Sequence, residues 1–171
     1  ITPGLLGAAD ELERNTLIAW ARGQDTNDEN TNAIISAEMR PSSHGDVVHS
    51  RPVAINYGTV SSPNVVVFYG GNDGVLRAIN GNRSGSTAGS ELWSFIPPEF
   101  YPNIKRLRDN TTRISYPGIS AGTPTPKPKD YGLDGPITAF RGTIGTTEKT
   151  FIYAGMRRGG RAIYAFDVTN P

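Results

Sequence analysis

The apolar positions of this chain come in short runs separated by turn residues. Residues 64–69 carry Val-Val-Val-Phe, β-branched and aromatic throughout, and read as a buried strand. Asn72-Asp73-Gly74 follows, and because Asp-Gly readily supplies positive φ, a tight hairpin turn is predicted there. Residues 75–79 return as the partner strand and residues 91–96 form the next, while 47–48 and 52–57 read as short strands upstream. The same order recurs later in LDGPITAF at 133–140 and KTFIYAGMRRGGRAIYAFDVTNP at 149–171. Pro52-Val53-Ala54-Ile55 matches Pro136-Ile137-Thr138-Ala139 at an offset of 84, Gly70 matches Gly155 at 85, and Ala78-Ile79-Asn80 matches Ala165-Phe166-Asp167 at 87. A strand–turn–strand–glycine turn–strand unit written twice predicts consecutive blades of a β-propeller.

Two stretches break this pattern. Residues 8–22 read as the single good helix, with Asp10, Glu11 and Glu13 near its start, Arg22 in its last turn and Gly23 as its stop. Residues 97–131 hold seven prolines, so they are predicted to be a long, partly mobile insertion between blades that no central strand can enter. The expected organisation is therefore an N-terminal helix and polar loop over 1–32, then a partial propeller over 33–171 interrupted at 97–131. The fold class is all-β, about two blades preceded by one helix. A ring needs four to eight blades to close, so the chain is expected to be part of a larger protein.

Composition narrows the function classes. Seventeen basic and sixteen acidic residues leave a net charge of +1, which gives no reason to expect nucleic acid as a partner. There is no cysteine, so disulfides, thiolate metal sites and a cysteine nucleophile are excluded within these residues. No apolar run approaches the roughly 18 residues of a membrane span.

Candidate chemistry is sparse. Asp25, Asn27 and Glu29 stand at alternating positions of a polar loop, as oxygen ligands of a Ca²⁺ loop would. Asn30 replaces the glycine such a loop needs at its sixth position, and Ser36 replaces the glutamate at its twelfth, so a solvated loop is expected. Asp46, His49 and Ser50 hold the residue types of a hydrolytic triad, but on extended backbone His49 and Ser50 face opposite ways, and no catalysis is expected. Asp73 is read as a turn residue rather than a metal ligand. Arg157, Arg158 and Arg161 around Gly159-Gly160 are read as a solvated hairpin tip whose charges discourage edge pairing, or as a site for an acidic partner.

The ordered set GDVVHSRP at 45–52, FYGGNDGVLRAING at 68–81, GSELWSFIPPEF at 89–100, YGLDGP at 131–136 and GMRRGGRAIYAFDVTNP at 155–171 resembles one family. It is the C-terminal, quinoprotein-like β-propeller of the PilY/PilC type of type IV pilus tip-associated adhesins and biogenesis proteins. The residues that carry the resemblance include Gly45, Asp46, His49, Ser50, Pro52, Asn72, Asp73, Gly74, Trp93, Asp134, Gly135, Gly159, Gly160, Arg161 and Asp167. Arg77 departs from the family's frequent histidine and Phe166 from its frequent leucine. The resemblance implies a non-catalytic role in pilus biogenesis, surface attachment and twitching motility. The partners it implies are minor pilins at the pilus tip and a host or abiotic surface; the location is extracellular, at the pilus tip or outer-membrane surface of a Gram-negative bacterium. It implies no cofactor in this segment, with Ca²⁺ held elsewhere in the full-length protein. Trp93 would dock against the neighbouring blade, contributing about 2–3 kcal/mol. The alternative is a blade segment of a pyrroloquinoline-quinone-dependent dehydrogenase, which would need calcium ligands and a base at the propeller centre.

Overall fold

The computed structural model describes residues 1–35, 37–119 and 121–171. The chain forms two compact units. One is mainly helical and joins Ile1–Gly45 to Pro98–Asp130; the other is built of sheet and joins Asp46–Pro97 to Tyr131–Pro171.

The sheet unit holds two antiparallel sheets. Strands β1 (Val53–Asn56), β2 (Val65–Gly70), β3 (Leu76–Asn80) and β4 (Glu91–Phe95) follow one another as a meander. Strands β5 (Ile137–Ile144), β6 (Thr147–Gly155) and β7 (Ile163–Asp167) repeat the first three in the same order. The strands predicted at 64–69, 75–79 and 91–96 lie where expected to within a residue. Val47 and Val48 form no strand; they are exposed and lead into a bend. The hairpin after Gly70 is wider than a two-residue turn. Gly70 pairs with Leu76, and the five residues between them close through Gly71 N–H to Val75 O (3.0 Å) and Gly74 N–H to Gly71 O (3.1 Å). Gly74 alone takes positive φ (+83°) there.

Strand register sharpens the repeat. Gly70 faces Leu76 as Gly155 faces Ile163, which fits the offsets of 85 and 87. Ile55 faces Val66 as Phe140 faces Phe151, so the first strand of each sheet corresponds at 85, one residue away from the 84 suggested by its Pro-led sequence match. One residue matters because successive side chains alternate faces. At 85, the face of the first sheet carrying Ile55, Val66, Phe68, Leu76 and Ala78 corresponds to the face of the second carrying Phe140, Phe151, Tyr153, Ile163 and Ala165.

The core lies between the sheets. Val66, Phe68, Leu76 and Ala78 meet Leu133, Ile137, Ile152, Ala154 and Met156, all buried. An aromatic seam crosses the gap: Trp93 lies 5.8 Å from Phe68 and from Phe166, while Phe95 lies 5.0 Å from Tyr164 and 5.1 Å from Phe166. Such tilted pairs add about 0.5–1.5 kcal/mol each beyond area burial.

In the helical unit, α1 (Pro3–Leu6) precedes α2 (Glu11–Ala21). Helix α2 is shorter than the predicted 8–22 because Asp10 takes the N-cap position, its carboxylate accepting the Glu13 N–H at 2.8 Å. Its end is a Schellman closure: Gly23 N–H to Trp20 O (2.9 Å), Gln24 N–H to Ala19 O (3.0 Å), and Gly23 at φ +98°.

The proline-rich stretch contains a helix that the sequence reading did not foresee, α3 (Tyr101–Asp109). Its proline, Pro102, sits in the first turn, where a missing N–H removes no helical bond. Phe100 and Ile104 are buried, and three cations of α3 reach acids: Lys105 to Glu13 (2.7 Å), Arg108 to Glu13 (2.9 Å) and Arg106 to Asp130 (3.0 Å).

This packing sets the expected mutational costs. Phe68→Ala should cost about 3–5 kcal/mol in denaturant unfolding, and Trp93→Ala about 2–3 because Trp93 is only half-buried. Equality of either with the fully exposed Val60→Ala would contradict the seam. The Glu13 carboxyl is held at about 2 by hydrogen bonds from Lys105, the Ala9 amide and Arg108. A depressed carboxyl stabilises the fold above its unfolded value near 4.5 and loses that contribution as pH falls toward 2. The unfolding midpoint of a Glu13→Gln variant should therefore fall less steeply between pH 4.5 and 2 than that of the parent chain.

Candidate functional site

Asp46, His49, Ser50, Asn72 and Asp134 converge on one seam of the sheet unit, where the segment entering the second sheet crosses the hairpin of the first. Glycine makes the crossing possible. A Cβ on Gly70 would run into the Leu133 backbone carbonyl, and one on Gly132 would approach Gly74 Cα at 2.5 Å. Leu133 N–H bonds to Gly71 O (3.2 Å), and Gly132 N–H to Asn72 Oδ1 (3.3 Å). Asn72 also reaches the other way, its N–H to Asp46 O (3.0 Å) and its Nδ2 to Asp46 Oδ2 (3.2 Å).

Asp134 is 1% exposed. His49 Nδ1 lies 2.9 Å from each of its carboxylate oxygens, and Arg157 Nη1 3.8 Å from Oδ2. An acceptor-only carboxylate requires the proton on Nδ1, which fixes the tautomer of His49. Ser50 has a different partner: its Oγ accepts the Gly70 N–H at 2.9 Å. The three residue types of the triad are thus shared among separate structural bonds. Asp73 binds Arg77 (2.6 Å) and accepts Val75 N–H (3.2 Å), as a turn residue does.

At the far end of the second sheet, Gly135 N–H bonds to Gly155 O (3.0 Å), and Gly159 packs against the Gly132 carbonyl. Arg158 stacks over Tyr131 (5.4 Å to the ring centre), while Arg157 takes a left-handed φ of +50°. Arg161 borders an open cleft. Asp167 binds Lys149 (2.7 Å) and Thr169, and that bonding holds its carboxyl at about 2.

Each of the three candidate calcium ligands holds a hydrogen bond within the helical unit. Both oxygens of buried Asp25 accept Glu29 N–H (2.9 and 3.0 Å), Asn27 donates to Arg108 O (3.3 Å), and the Glu29 carboxylate accepts Ser42 N–H (3.3 Å). Ser36, the twelfth loop position, lies outside the described residues. Among the described residues no three His, Asp or Glu side chains are grouped as metal ligands.

Sequence reasoning singled out Asp134 but not its bond to His49. The signal for it was their separation of 85, which is also the repeat spacing: stacked repeats bring near-equivalent positions side by side.

The chain is similar to a segment of type IV pilus biogenesis factors. It is 25% identical over 175 residues to the type IV pilus biogenesis factor PilY1 of Pseudomonas aeruginosa strain PAK, covering 90% of this chain and 13% of that protein. It is 31% identical over 157 residues to PilY1 of strain UCBPP-PA14, covering 74% of this chain and 11% of that protein. The chain therefore spans about an eighth of the curated relatives it matches. No protein-family model and no solved structure matches it significantly. Among the described residues no helix is long and apolar enough to cross a membrane.

Removal of the His49 imidazole leaves Asp134 buried without its nearest donor. His49→Ala should cost about 2–4 kcal/mol, and His49→Asn, which retains an N–H donor, should recover part of the loss. Thermal or denaturant unfolding of the two variants reads the difference; an unchanged His49→Ala would mean the pair is idle.

Proposed function

We infer that this segment is a pair of consecutive propeller blades in a type IV pilus biogenesis protein, acting as a non-catalytic scaffold. One observation carries the reading: the similarity to PilY1 extends over 90% of the chain, and so includes both repeated sheets rather than an isolated motif. Two meanders related by an offset of 85 over their first two strands and 87 over the third, packed with corresponding faces pointing the same way, are what consecutive blades would present.

On this reading the segment is a rigid spacer that presents loops, located outside the cell at the pilus tip or on the outer-membrane surface. Its partners are minor pilins on one side and a host or abiotic surface on the other, and its contribution to attachment and twitching motility is mechanical. The dehydrogenase alternative is not favoured. The polar side chains that such chemistry would use are engaged, Asp46, His49 and Asp134 in holding the seam and Asp73 in its own hairpin. The PilY1 relatives are named for pilus biogenesis and not for an enzymatic activity. In this scheme Asp25 bonds within its loop, while Asn27 and Glu29 tie that loop to Arg108 and Ser42.

In-frame removal of residues 46–171 from the full-length gene should abolish twitching zones and reduce surface pili. The intact full-length protein should co-sediment with sheared pili. Normal twitching in the deletion strain, together with a protein that stays in the supernatant, would overturn the assignment.

A further inference from the structure

Among the described residues, 98–130 contribute no strand to either sheet, so the blade reading leaves them without a role. Past the end of α3 they form a short lip whose backbone is pinned. Asn110 takes φ +46° and returns its N–H to Arg106 O (3.0 Å). Ser115 N–H bonds to Lys127 O (2.8 Å) and Lys127 N–H to Arg113 O (3.0 Å). A turn over Pro117-Gly118 closes through Ile119 N–H to Tyr116 O (2.9 Å). The side chains of the same lip are unused. Asn110, Thr111, Thr112, Arg113 and Tyr116 make no side-chain hydrogen bond or ion pair among the described residues. The acid beside them is already engaged, Asp109 pairing with Arg108 at 2.7 Å. The polar loop before Asn32 is the opposite case: Asn27, Asp28, Asn30 and Asn32 all use their side chains in bonds that hold the unit. Folding thus accounts for one polar set and not for the other. With Ile114, the five unused side chains line an open cleft of about 580 Å³. That is the size of a small-ligand site.

We propose that this cleft binds a carboxylate-bearing saccharide. The inference rests on the attachment reading above and names the surface chemistry that attachment would use. Each part of a sugar acid has a counterpart in the lip. Ring hydroxyls both donate and accept, and so do the Thr111 and Thr112 hydroxyls and the Asn110 carboxamide. One face of a pyranose is lined by C–H bonds, and Tyr116, 57% exposed, offers a flat apolar ring with a polar tip. Ile114, 42% exposed, extends that apolar floor. The carboxylate meets the Arg113 guanidinium, whose planar fork takes both oxygens. One unpaired cation suits one carboxylate per bound sugar rather than a polyanion. The pinned backbone reduces the ordering that binding would otherwise require. A sialic acid ending a host glycan and a uronic acid within a polysaccharide present the same group. An acidic peptide is the competing occupant; it would engage Arg113 and leave the hydroxyls and the Tyr116 face without matching chemistry.

Saturation-transfer NMR titrations of the full-length protein test this with sialyllactose, trigalacturonate, neutral lactose and a hexaglutamate peptide. At least one of the two acidic saccharides should bind with Kd of about 1 mM or tighter, and about 10-fold or more tighter than lactose. Which of the two binds separates a host glycan from a uronate polymer. Binding of neither overturns the proposal, and so does lactose binding as tightly as both. Arg113→Ala should weaken the acidic saccharide about 10-fold, with Arg113→Lys recovering part of the loss because it keeps the charge without the fork. Tyr116→Ala should weaken it by a similar factor. Neither side chain has a structural partner, so both variants should unfold at the midpoint of the parent protein. Thr112→Val removes a hydroxyl at nearly constant shape, should weaken binding several-fold, and serves where the other variants fail to fold. Unchanged binding in the folded variants overturns the site. Hexaglutamate binding as tightly as the saccharides, lost in Arg113→Ala and kept in Tyr116→Ala, means that an acidic peptide is the occupant and also overturns the proposal. Co-sedimentation with sheared pili is scored separately on the same protein. Its loss with saccharide binding intact removes the pilus assignment alone, whereas absent saccharide binding with co-sedimentation intact removes only this inference.

Discussion

The sheet unit depends on one close approach, the backbone of Leu133 lying directly on Gly70. Any side chain at Gly70 would occupy the space of that carbonyl, so the two sheets come together only because the residue is glycine. The rest of the seam is arranged around the contact. Ser50 satisfies the Gly70 N–H from the other side, Gly71 O takes the Leu133 N–H, and Asn72 ties the crossing segment to Asp46. A crossing buried this deeply would strand backbone polar groups if these partners were missing, and each stranded group costs about 1–3 kcal/mol. The GD-x-x-HS, GGNDG and LDG motifs, far apart in sequence, are one hydrogen-bonded joint.

Much of this was legible beforehand, and the errors have physical causes. The β-branched run in β2 and the Trp-Ser-Phe run in β4 placed their strands because alternating burial leaves a period-two trace. The Val47-Val48 pair misled because β propensity measures fit to a half-buried pleated surface, and these residues have no neighbouring strand to pair with. Helix α3 was missed because prolines were counted rather than placed: Pro97, Pro98 and Pro102 lie before or within its first turn, where they are tolerated. The one-residue slip in the first strand arose from anchoring on the shared proline. Proline marks where a strand begins, whereas only inter-strand bonds fix which face a side chain takes. As for the site, the motif residues were recognisable as a set, but the His49–Asp134 bond was not, since nothing local to either residue announces a partner 85 positions away.

The helical unit is held by a different arrangement of charge. Glu13 serves both helices at once: its backbone N–H is taken by the Asp10 cap, while its carboxylate receives the Ala9 amide, Lys105 and Arg108. One carboxylate with several donors explains both its low protonation point and the placement of α3, whose basic residues would otherwise repel one another along the helix. The apolar contribution is small, with Leu6, Leu17, Trp20, Phe100 and Ile104 forming the buried set. The ion pairs therefore set which way α3 lies more than how tightly it is held, as expected of partly exposed pairs.

Stacking with corresponding faces pointing the same way has a consequence that a sandwich does not share. In a sandwich two inner faces close on each other and both outer faces turn polar. Here the two sheets pack front to back: the face of the second that meets the first is the reverse of the face that corresponds to Phe68 and Leu76. In the second sheet Ile152 and Ala154 face inward, and Phe140, Phe151, Tyr153 and Ile163 stand on the reverse. Phe140, Tyr153 and Ile163 on that reverse face are exposed, which costs solubility and invites association. At the hairpin position that matches Asn72 stands Arg157, whose guanidinium can only donate and lies 3.8 Å from Asp134 Oδ2.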